Sequence, residues 1–370
     1  MCMTPRRPEP DETNERAALI FADKLLSHCR SEHNCAISVG AHDDDIELVC
    51  SGTLRAQYVC LSHCWGSRQP LKTTKKTLRS HLRKIPWESL PNTFRDAIRF
   101  TRALGIPYIW IDSLCIIQDD RHDWLRESQK VARIFQNCYL TVAATAGADG
   151  RAGLYTYRGA RSTPVTTTTV DGRAQTVFVR AVPNHMDKWA SNRFNRKDFP
   201  LLTRGWVLQE RILSPRVLHF GSRELLWECN KESYCQCGTQ QSDEHEFTKP
   251  ALHAQKHSDI HGDMQHYWRD LVEEYSRLSL TRSSDKLPAI AGLASDVSSH
   301  RGGAQYLAEG YFGNDPRYAE RSYRRTRWRA PSWSWASIDG TIMRPQMKPS
   351  SLTNEQSFKT ISKIILKSDA

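Results

Sequence analysis

Over residues 55–145, short apolar runs alternate with longer amphipathic stretches. The runs Tyr58–Ser62, Tyr108–Ile111 and Tyr139–Ala144 are rich in β-branched and aromatic residues, which predicts buried β-strands. Between them, residues 91–104 and the stretch that follows Asp119 repeat apolar side chains every three or four positions, which predicts helices. Strand and helix therefore alternate, and this order is typical of a mostly parallel α/β sheet.

The sequence after residue 200 predicts a different mixture of elements. A short helix is expected over residues 203–214, ended by Pro215, and the strand Val217–Phe220 is expected to form a hairpin with Leu225–Cys229. Helical spacing returns over residues 265–300. We therefore expect six segments: a disordered N-terminus (1–16), an N-terminal extension (17–54), an α/β domain (55–230), a polar exposed loop (231–262), a helical C-terminal extension (263–340) and a tail (341–370).

The chain of 370 residues has a formal net charge of +11, which raises the question of nucleic-acid binding. Most of the charge is dispersed, but residues 317–329 combine several arginines with interleaved aromatic side chains. Arginine and aromatic side chains together can bind single-stranded nucleic acid. A solvated connector is nevertheless the favoured interpretation of this segment. No apolar run reaches the roughly 20 residues that a membrane-spanning helix needs, and residues 1–15 have no apolar signal-peptide core. A cytoplasmic protein without membrane contact is expected.

Eleven cysteines and no recognisable secretory signal predict reduced thiols rather than a disulfide framework. Two clusters raise the question of a metal. One contains Cys29, His33 and Cys35, and the other runs from Cys229 to His245 with Cys235 and Cys237 between them. Neither offers four ligands at a common zinc spacing, so no metal site is expected from either cluster alone.

Candidate chemistry follows the predicted strands. The loop Ser62–Gly66 and the carboxylate of Asp112 come directly after two strands, and the carboxyl ends of parallel strands are where α/β sheets bind ligands. His63 and Cys64 are adjacent and should point to opposite faces, so a cysteine nucleophile activated by this histidine is disfavoured.

A second candidate carboxylate is Glu210, which lies four residues after Trp206 and so shares its helical face. An acid beside an indole in an apolar helix is a candidate site residue. An ion pair between Glu210 and Arg204 or Arg211 is an equally good interpretation of the same pattern.

Three segments in order, YVCLSHCWG at 58–66, LPNTFRDAIR continuing to YIWIDSLCIIQDD at 90–120 and RGWVLQE at 204–210, closely resemble the HET (heterokaryon incompatibility) domain of filamentous fungi. The resemblance covers about residues 55–215. The segments Trp268–Ser276, Asp285–Ala289 and Pro331–Ser337 also resemble the region that commonly follows this domain. The chain departs from that pattern after Ala308, where a shorter connector stands.

The resemblance implies an effector of nonself recognition that triggers programmed cell death, with protein partners in an incompatibility pathway and self-association as an option. HET domains are also considered distantly similar to Toll/interleukin-1 receptor (TIR) domains, which have a flavodoxin-like fold. Some TIR domains cleave NAD with a glutamate in a Trp-x3-Glu setting, and Trp206 and Glu210 have that spacing. The implied fold is a flavodoxin-like or TIR-like, mostly parallel sheet with an added β-hairpin and a helical C-terminal extension.

Carried over to this chain, the resemblance implies Glu210 as the catalytic group, with Asp112 and Ser62 lining the same crevice. Trp65 or Trp206 would stack on a ring of the substrate. Two further residues, Gly66 and Arg204, complete the implied NAD-binding set. NAD would be a substrate rather than a bound cofactor. The sequence has no Gly-x-Gly-x-x-Gly loop, so a Rossmann dehydrogenase is disfavoured. A non-enzymatic effector that acts by assembly remains the competing hypothesis.

Overall fold

The computed structural model describes residues 15–33, 47–49, 55–66, 71–155, 163–168, 171–179, 198–222, 224–236, 249–256, 263–300, 323–324, 336 and 338–339. The chain divides into two compact units, residues 1–307 and 308–370. The C-terminal tail expected over residues 341–370 lies outside the described residues, as does most of the arginine-rich segment. The first helix begins at Glu15, so the expected disorder of residues 1–16 is wrong for its last two residues.

Ten α-helices and ten strands are present in the described residues. The helices are α1 Glu15–His28, α2 Leu78–His81, α3 Asn92–Ala103, α4 Asp112–Cys115, α5 Arg121–Ser128, α6 Val131–Asn137, α7 Gly205–Leu213, α8 Lys249–Lys256, α9 Asp263–Ser276 and α10 Pro288–His300. The strands are β1 Tyr58–Ser62, β2 Tyr108–Trp110, β3 Leu140–Ala143, β4 Thr163–Thr168, β5 Ala174–Val179, β6 Arg216–Phe220, β7 Leu225–Cys229, β8 Ser233–Cys235, β9 Tyr323–Arg324 and β10 Ile338–Asp339.

Six strands form one mixed sheet in the order β2-β1-β3-β6-β7-β8. The first four are parallel, and β7 and β8 continue the sheet as an antiparallel meander. The predicted α/β class, its mostly parallel sheet and the added hairpin are confirmed. The order of the parallel strands is the one that begins a flavodoxin-like sheet, in which the chain runs to one side of β1 and then to the other. Two further antiparallel pairs, β4 with β5 and β9 with β10, stand outside this sheet.

Strand β1 shows why helices cover both faces of the sheet. Val59 and Leu61 belong to a core that includes apolar residues of α1 and α3. Cys60, between them, packs with Val131 and Phe135 of α6. Successive side chains of a strand point to opposite faces, so a strand that is apolar at every position needs a helix layer on each side.

The strand β2 differs from its prediction. It was expected to be buried, but Tyr108, Ile109 and Trp110 are all partly exposed. Among the described strands, β2 lies at the edge of the sheet and pairs with β1 alone, so one of its sides has no strand neighbour there. An apolar run of three residues does not distinguish an edge strand from a central one.

At the start of α3, Thr93 and Asp96 have the S/T-x-x-D/E spacing that predicts a capping box, but they do not cap the helix. The residue before α3 is Pro91, and no side-chain cap is formed there. Instead, the Thr93 hydroxyl accepts a hydrogen bond from the backbone N–H of Gly153 at 3.2 Å, and Asp96 accepts one from Leu154 at 2.9 Å. Both polar side chains therefore hold the loop after β3 against α3.

Buried charges fix the helix α7 against the sheet. Arg211 donates to both carboxylate oxygens of Glu228 on β7, with Nε 2.6 Å from Oε2. From α8, the buried ammonium of Lys249 donates to the carbonyls of Arg211, Ile212 and Ser214 at the end of α7. Carbonyls of a last helical turn have no partner within the helix, and a cation there also offsets the negative end of the helix dipole.

The segment 231–262 was predicted to be an exposed polar loop, and this is wrong in part. Residues 233–235 form β8, and residues 249–256 form α8 with Lys249 and Leu252 buried. The helices expected over residues 265–300 are present as α9 and α10. None of the helices in the described part of the chain is both long and apolar enough to cross a membrane.

Candidate functional site

The candidate site lies where β1 ends, next to its two parallel neighbours β2 and β3. In doubly wound sheets, ligands bind outside the carboxyl ends of the strands at the point where the chain changes direction across the sheet. The described chain places Ser62 at the end of β1 and Asp112 two residues after β2. Both predicted residues therefore stand at the expected edge of the sheet.

Ser62 and Glu210 form the central contact of the site. The Ser62 hydroxyl donates a hydrogen bond of 2.5 Å to Oε2 of Glu210. Ser62 has the same strand parity as Cys60, so its side chain lies on the face that α6 covers. Glu210 reaches this face from α7, which packs with α6 and α10. Two residues that are 148 positions apart are thus brought together by the sheet and one helix.

Glu210 has an electrostatic environment that favours its protonated form. Burial raises the pKa of Glu210 to about 7, the hydrogen bond from Ser62 opposes this rise, and the charge of Asp112 adds to it. No ion pair joins Glu210 to a cation within the part of the chain that the structure describes. The predicted alternative of a pair with Arg211 is wrong, because Arg211 is bound to Glu228 instead.

Asp112 is held by the loop that follows β1. Its Oδ2 accepts a hydrogen bond of 2.9 Å from the indole nitrogen of Trp65, and its Oδ1 accepts one of 2.6 Å from the backbone of Ser113. About a third of the Asp112 side chain is exposed, so the carboxylate can still face a ligand. The predicted residues Trp65 and Asp112 are therefore adjacent, with the indole orientation set by the carboxylate.

His63 belongs to this group but was not predicted as a site residue. Its Nδ1 lies 3.8 Å from Oδ1 of Asp112, its ring packs edge-on against Phe94, and its Nε2 is buried with no hydrogen-bond partner in the described residues. Burial lowers the pKa of His63, so the ring is neutral at pH 7. The sequence signal that could have found it is the position next to Ser62 at the end of a buried strand.

The thiol of Cys64 is not a nucleophile in this arrangement. Burial raises the pKa of Cys64 to about 11, so the thiolate is scarce at neutral pH. A reactive cysteine needs a lowered pKa and an adjacent base. This environment agrees with the prediction that a cysteine nucleophile activated by His63 is disfavoured.

Arg204 and Trp206, two further predicted residues, differ in their position: Arg204 lies close to Glu210, whereas Trp206 does not face the site. The positive charge of Arg204, just before α7, lowers the pKa of Glu210, and the Arg204 Nε atom is buried without a hydrogen-bond partner among the described residues. Trp206 turns toward the helical extension, where its indole nitrogen donates a 3.2 Å hydrogen bond to Asp285. Trp206 is thus hydrogen-bonded outside the group formed by Ser62 and Glu210.

Gly66 closes the loop after β1 with a left-handed backbone conformation, at φ +71°. A Cβ atom at this position would lie 2.3 Å from the Cβ of Asp149. The residue is therefore a glycine for two physical reasons, its positive φ and the close approach of the segment after β3. Its predicted part in binding a ligand stays a prediction.

The fold and the site define an α/β domain that has two carboxylates, Asp112 and Glu210, at the carboxyl edge of its parallel strands. Residues 58–210 match the family model described as heterokaryon incompatibility protein (HET). No curated protein and no solved structure matches the chain. All seven predicted site residues lie within the matched range, and Glu210 is its last residue.

Proposed function

We propose that this protein is an effector of heterokaryon incompatibility that triggers cell death by cleaving nicotinamide from NAD in the cytoplasm, with Glu210 as the catalytic group. The observation that carries this proposal is the pairing of Glu210 with the Ser62 hydroxyl at 2.5 Å, at the carboxyl edge of the sheet. The HET domain supports the involvement in heterokaryon incompatibility. The Trp-x3-Glu spacing of Trp206 and Glu210, which some TIR domains use to cleave NAD, supports the choice of substrate.

Cleavage of nicotinamide from NAD requires a carboxylate beside the positive charge that develops on the ribose. In the proposed reaction the bond between ribose C1′ and the nicotinamide nitrogen breaks, and its electron pair leaves with nicotinamide. The ribose becomes oxocarbenium-like, water adds to C1′, and the proton of that water passes to solvent. The Glu210 carboxylate stabilises the cation, as carboxylates do in glycoside cleavage. Because the substrate's nicotinamide ring is itself cationic, its arrival favours ionisation of Glu210.

Other residues of the site serve binding in this proposal. The Trp65 indole, held by Asp112, offers an aromatic face for a ring of the substrate. Arg204 supplies a positive charge close to Glu210, suited to the diphosphate of a dinucleotide.

The test is nicotinamide release from NAD by the purified full-length protein at high concentration. We expect release by the parent and a loss of at least about 100-fold in Glu210→Gln, because one electrostatic group of this kind is worth two to three orders of magnitude. Glu88→Gln, an exposed side chain on a short 3-10 helix, is the matched control and should match the parent. A folded parent without release, or equal release by Glu210→Gln, would overturn the enzymatic proposal.

A second candidate function is a non-enzymatic effector that acts by assembly with itself or with other proteins. The hydrogen bond between Trp206 and Asp285 favours it, because one residue of the Trp-x3-Glu pair then serves packing. Absence of nicotinamide release together with a concentration-dependent increase in molecular mass by light scattering would favour assembly over hydrolysis.

A further inference from the structure

Cys29 and His33 of the first cysteine and histidine cluster lie beside Cys229 of the second cluster in the fold, although each cluster alone lacks a full set of metal ligands. Cys29 and His33 lie in a π-helical turn that continues α1, and Cys229 ends β7. The potential ligand atoms of these three residues all lie within 4.8 Å of one another. We propose that a zinc ion binds here, held by Cys29, His33 and Cys229.

The distances suit zinc. The Cys229 sulfur lies 3.5 Å from Nδ1 of His33. Zn–S bonds of roughly 2.3 Å and Zn–N bonds of roughly 2.1 Å at a tetrahedral angle separate the two ligand atoms by about 3.6 Å. Two thiolates and one imidazole are a ligand set that selects a soft or borderline ion such as Zn²⁺ over Mg²⁺ or Ca²⁺.

A second layer of contacts supports His33 as a ligand through Nδ1. The other ring nitrogen, Nε2, lies 3.5 Å from Oε2 of Glu232. That carboxylate oxygen also accepts a 2.7 Å hydrogen bond from the Tyr234 hydroxyl and lies 3.1 Å from Nε2 of His28. A carboxylate that orients the far nitrogen of a metal-bound histidine is the usual outer shell of a zinc site.

Arg216 supports Cys29 as a ligand. Its guanidinium is fully buried, and its Nε lies 3.2 Å from the Cys29 sulfur. A buried cation requires a nearby negative charge or hydrogen-bond acceptors, and a thiolate sulfur provides both. The thiolate is also the form of cysteine that binds zinc. The same contact therefore compensates the buried arginine and prepares the sulfur for the metal.

The site would join elements that are far apart in the sequence. His33 and Cys229 are 196 residues apart, so the bound ion would cross-link the N-terminal helix to the antiparallel part of the sheet. The π-helical turn at Cys29–His33 contributes to this geometry. Its wider turn brings residues four apart nearly onto one face, and such turns are frequent at functional sites.

The test measures zinc bound to the purified full-length protein after loading with Zn²⁺ and removal of excess metal. We expect one zinc per chain in the parent, and a loss of at least ten-fold in occupancy in His33→Ala and Cys229→Ser. Cys115→Ser and His122→Ala, in α4 and α5, are the matched cysteine and histidine controls and should keep full occupancy. Absence of zinc from the folded parent, or full occupancy in both ligand variants, would overturn the proposal.

A second measurement keeps the proposal testable if a ligand variant fails to fold. Loading the parent with Co²⁺ should give the ligand-field bands of a tetrahedral site and a thiolate-to-cobalt charge-transfer band. Glu232→Gln leaves the three ligands in place, so it should keep these bands while binding zinc roughly 10–100-fold more weakly. Octahedral Co²⁺ bands in the parent would contradict the site, as would unchanged zinc affinity in Glu232→Gln.

Discussion

Glu210 and Glu228 are two buried glutamates with opposite partners. Glu228 accepts hydrogen bonds from Arg211 and lies 3.2 Å from Nε2 of His219. Burial alone would raise the pKa of Glu228, but Arg211 and His219 outweigh it and hold that pKa well below its usual value. Glu210 has a serine hydroxyl as its hydrogen-bond partner, and burial raises its pKa to about 7. Glu228 therefore stabilises the fold in its ionised form, whereas ionisation of Glu210 lowers the stability of the fold.

The substitution Glu210→Gln should raise the free energy of unfolding at pH 8 by about 1–3 kcal/mol. A carboxyl whose folded pKa lies above its unfolded value stabilises the fold below the unfolded pKa, and this contribution is lost as the pH rises to about 7. Glutamine cannot ionise, so the variant keeps this contribution to stability at pH 8. Urea unfolding at pH 5 and pH 8 measures this, and the gain should be larger at pH 8 than at pH 5. A loss of stability at pH 8 would contradict the described environment.

The matched substitution Glu228→Gln should act in the opposite direction, with a loss of about 3–5 kcal/mol at pH 7, because it leaves a buried guanidinium without its partner. The folded pKa of Glu228 is depressed, so its contribution is present above the unfolded pKa and is lost as the pH falls. The parent should therefore differ less from this variant in acid. Equal stability of the two proteins at pH 7 would exclude the buried ion pair.

The pH dependence of nicotinamide release should follow the ionisation of Glu210. Because the carboxylate is the form that stabilises the oxocarbenium ion, kcat/KM should rise with pH through about 7 and then level off. Steady-state rates at saturating and limiting NAD would separate the free protein from the complex. A rate that is flat between pH 5 and pH 8 would show that Glu210 does not supply the charge.

At the residue scale, the sequence identified Glu210, Asp112, Ser62 and Trp65 as candidates but not the contacts between them. The position after a strand is a local signal, so Ser62 and Asp112 could be found. Whether Glu210 would meet Ser62 or Arg211 depends on which way α7 faces, and only long-range packing decides that. His63 was missed because its role depends on Asp112, which is 49 positions away in the sequence and follows another strand, β2.

At the scale of elements, α7 is held in register by contacts at its C-terminal end. Lys249 donates to three carbonyls there, and burial lowers its pKa to about 8. The substitution Lys249→Met should lower the free energy of unfolding by about 2–4 kcal/mol, because it leaves buried carbonyls without donors. Lys231→Met, at an exposed position, is the control and should change stability little. Chemical denaturation measures both, and equal stability would show that α8 does not cap α7.

The loop after β1 gives a second prediction at this scale. Gly66 and Gly105 have the same φ of +71°, but a Cβ at Gly105 would meet no atom of the described residues within 4 Å. Gly105→Ala should therefore cost about 1 kcal/mol for its backbone conformation alone. Gly66→Ala adds the clash with Asp149 and should cost more and weaken NAD cleavage. Thermal unfolding of the two variants measures both losses of stability, and their difference is the cost of the clash between residue 66 and Asp149. Equal losses of stability in the two variants would contradict the close approach of Asp149 to Gly66.

Local periodicity predicted most elements, because α3, α7, α9 and α10 each have apolar residues at helical spacing in the sequence. Where it failed, the deciding interactions are not local. Strand β2 is partly exposed since it lies at the edge of the sheet. In the polar segment after β7, β8 forms because β7 offers it an open edge, and α8 is anchored by Lys249 through contacts with α7.

At the scale of the whole molecule, the HET match ends at Glu210, while contacts that fix its helix come from later in the chain. Glu228 and Lys249 hold the end of α7, and the segment after α9 binds its start through hydrogen bonds between Ser279 and both Thr203 and Gly205. The candidate site therefore depends on residues beyond the matched domain. A proposed zinc ion would add a further long-range link, between α1 and β7.

The most direct test of the central claim is survival of fungal cells that express the full-length protein, compared with Glu210→Gln at equal protein level by immunoblot. We predict that the parent lowers both survival and cellular NAD, and that Glu210→Gln restores them because it removes the catalytic carboxylate while keeping the fold. Equal killing by the two proteins would contradict an effector that works through Glu210, and unchanged survival with the parent would contradict an effector of cell death.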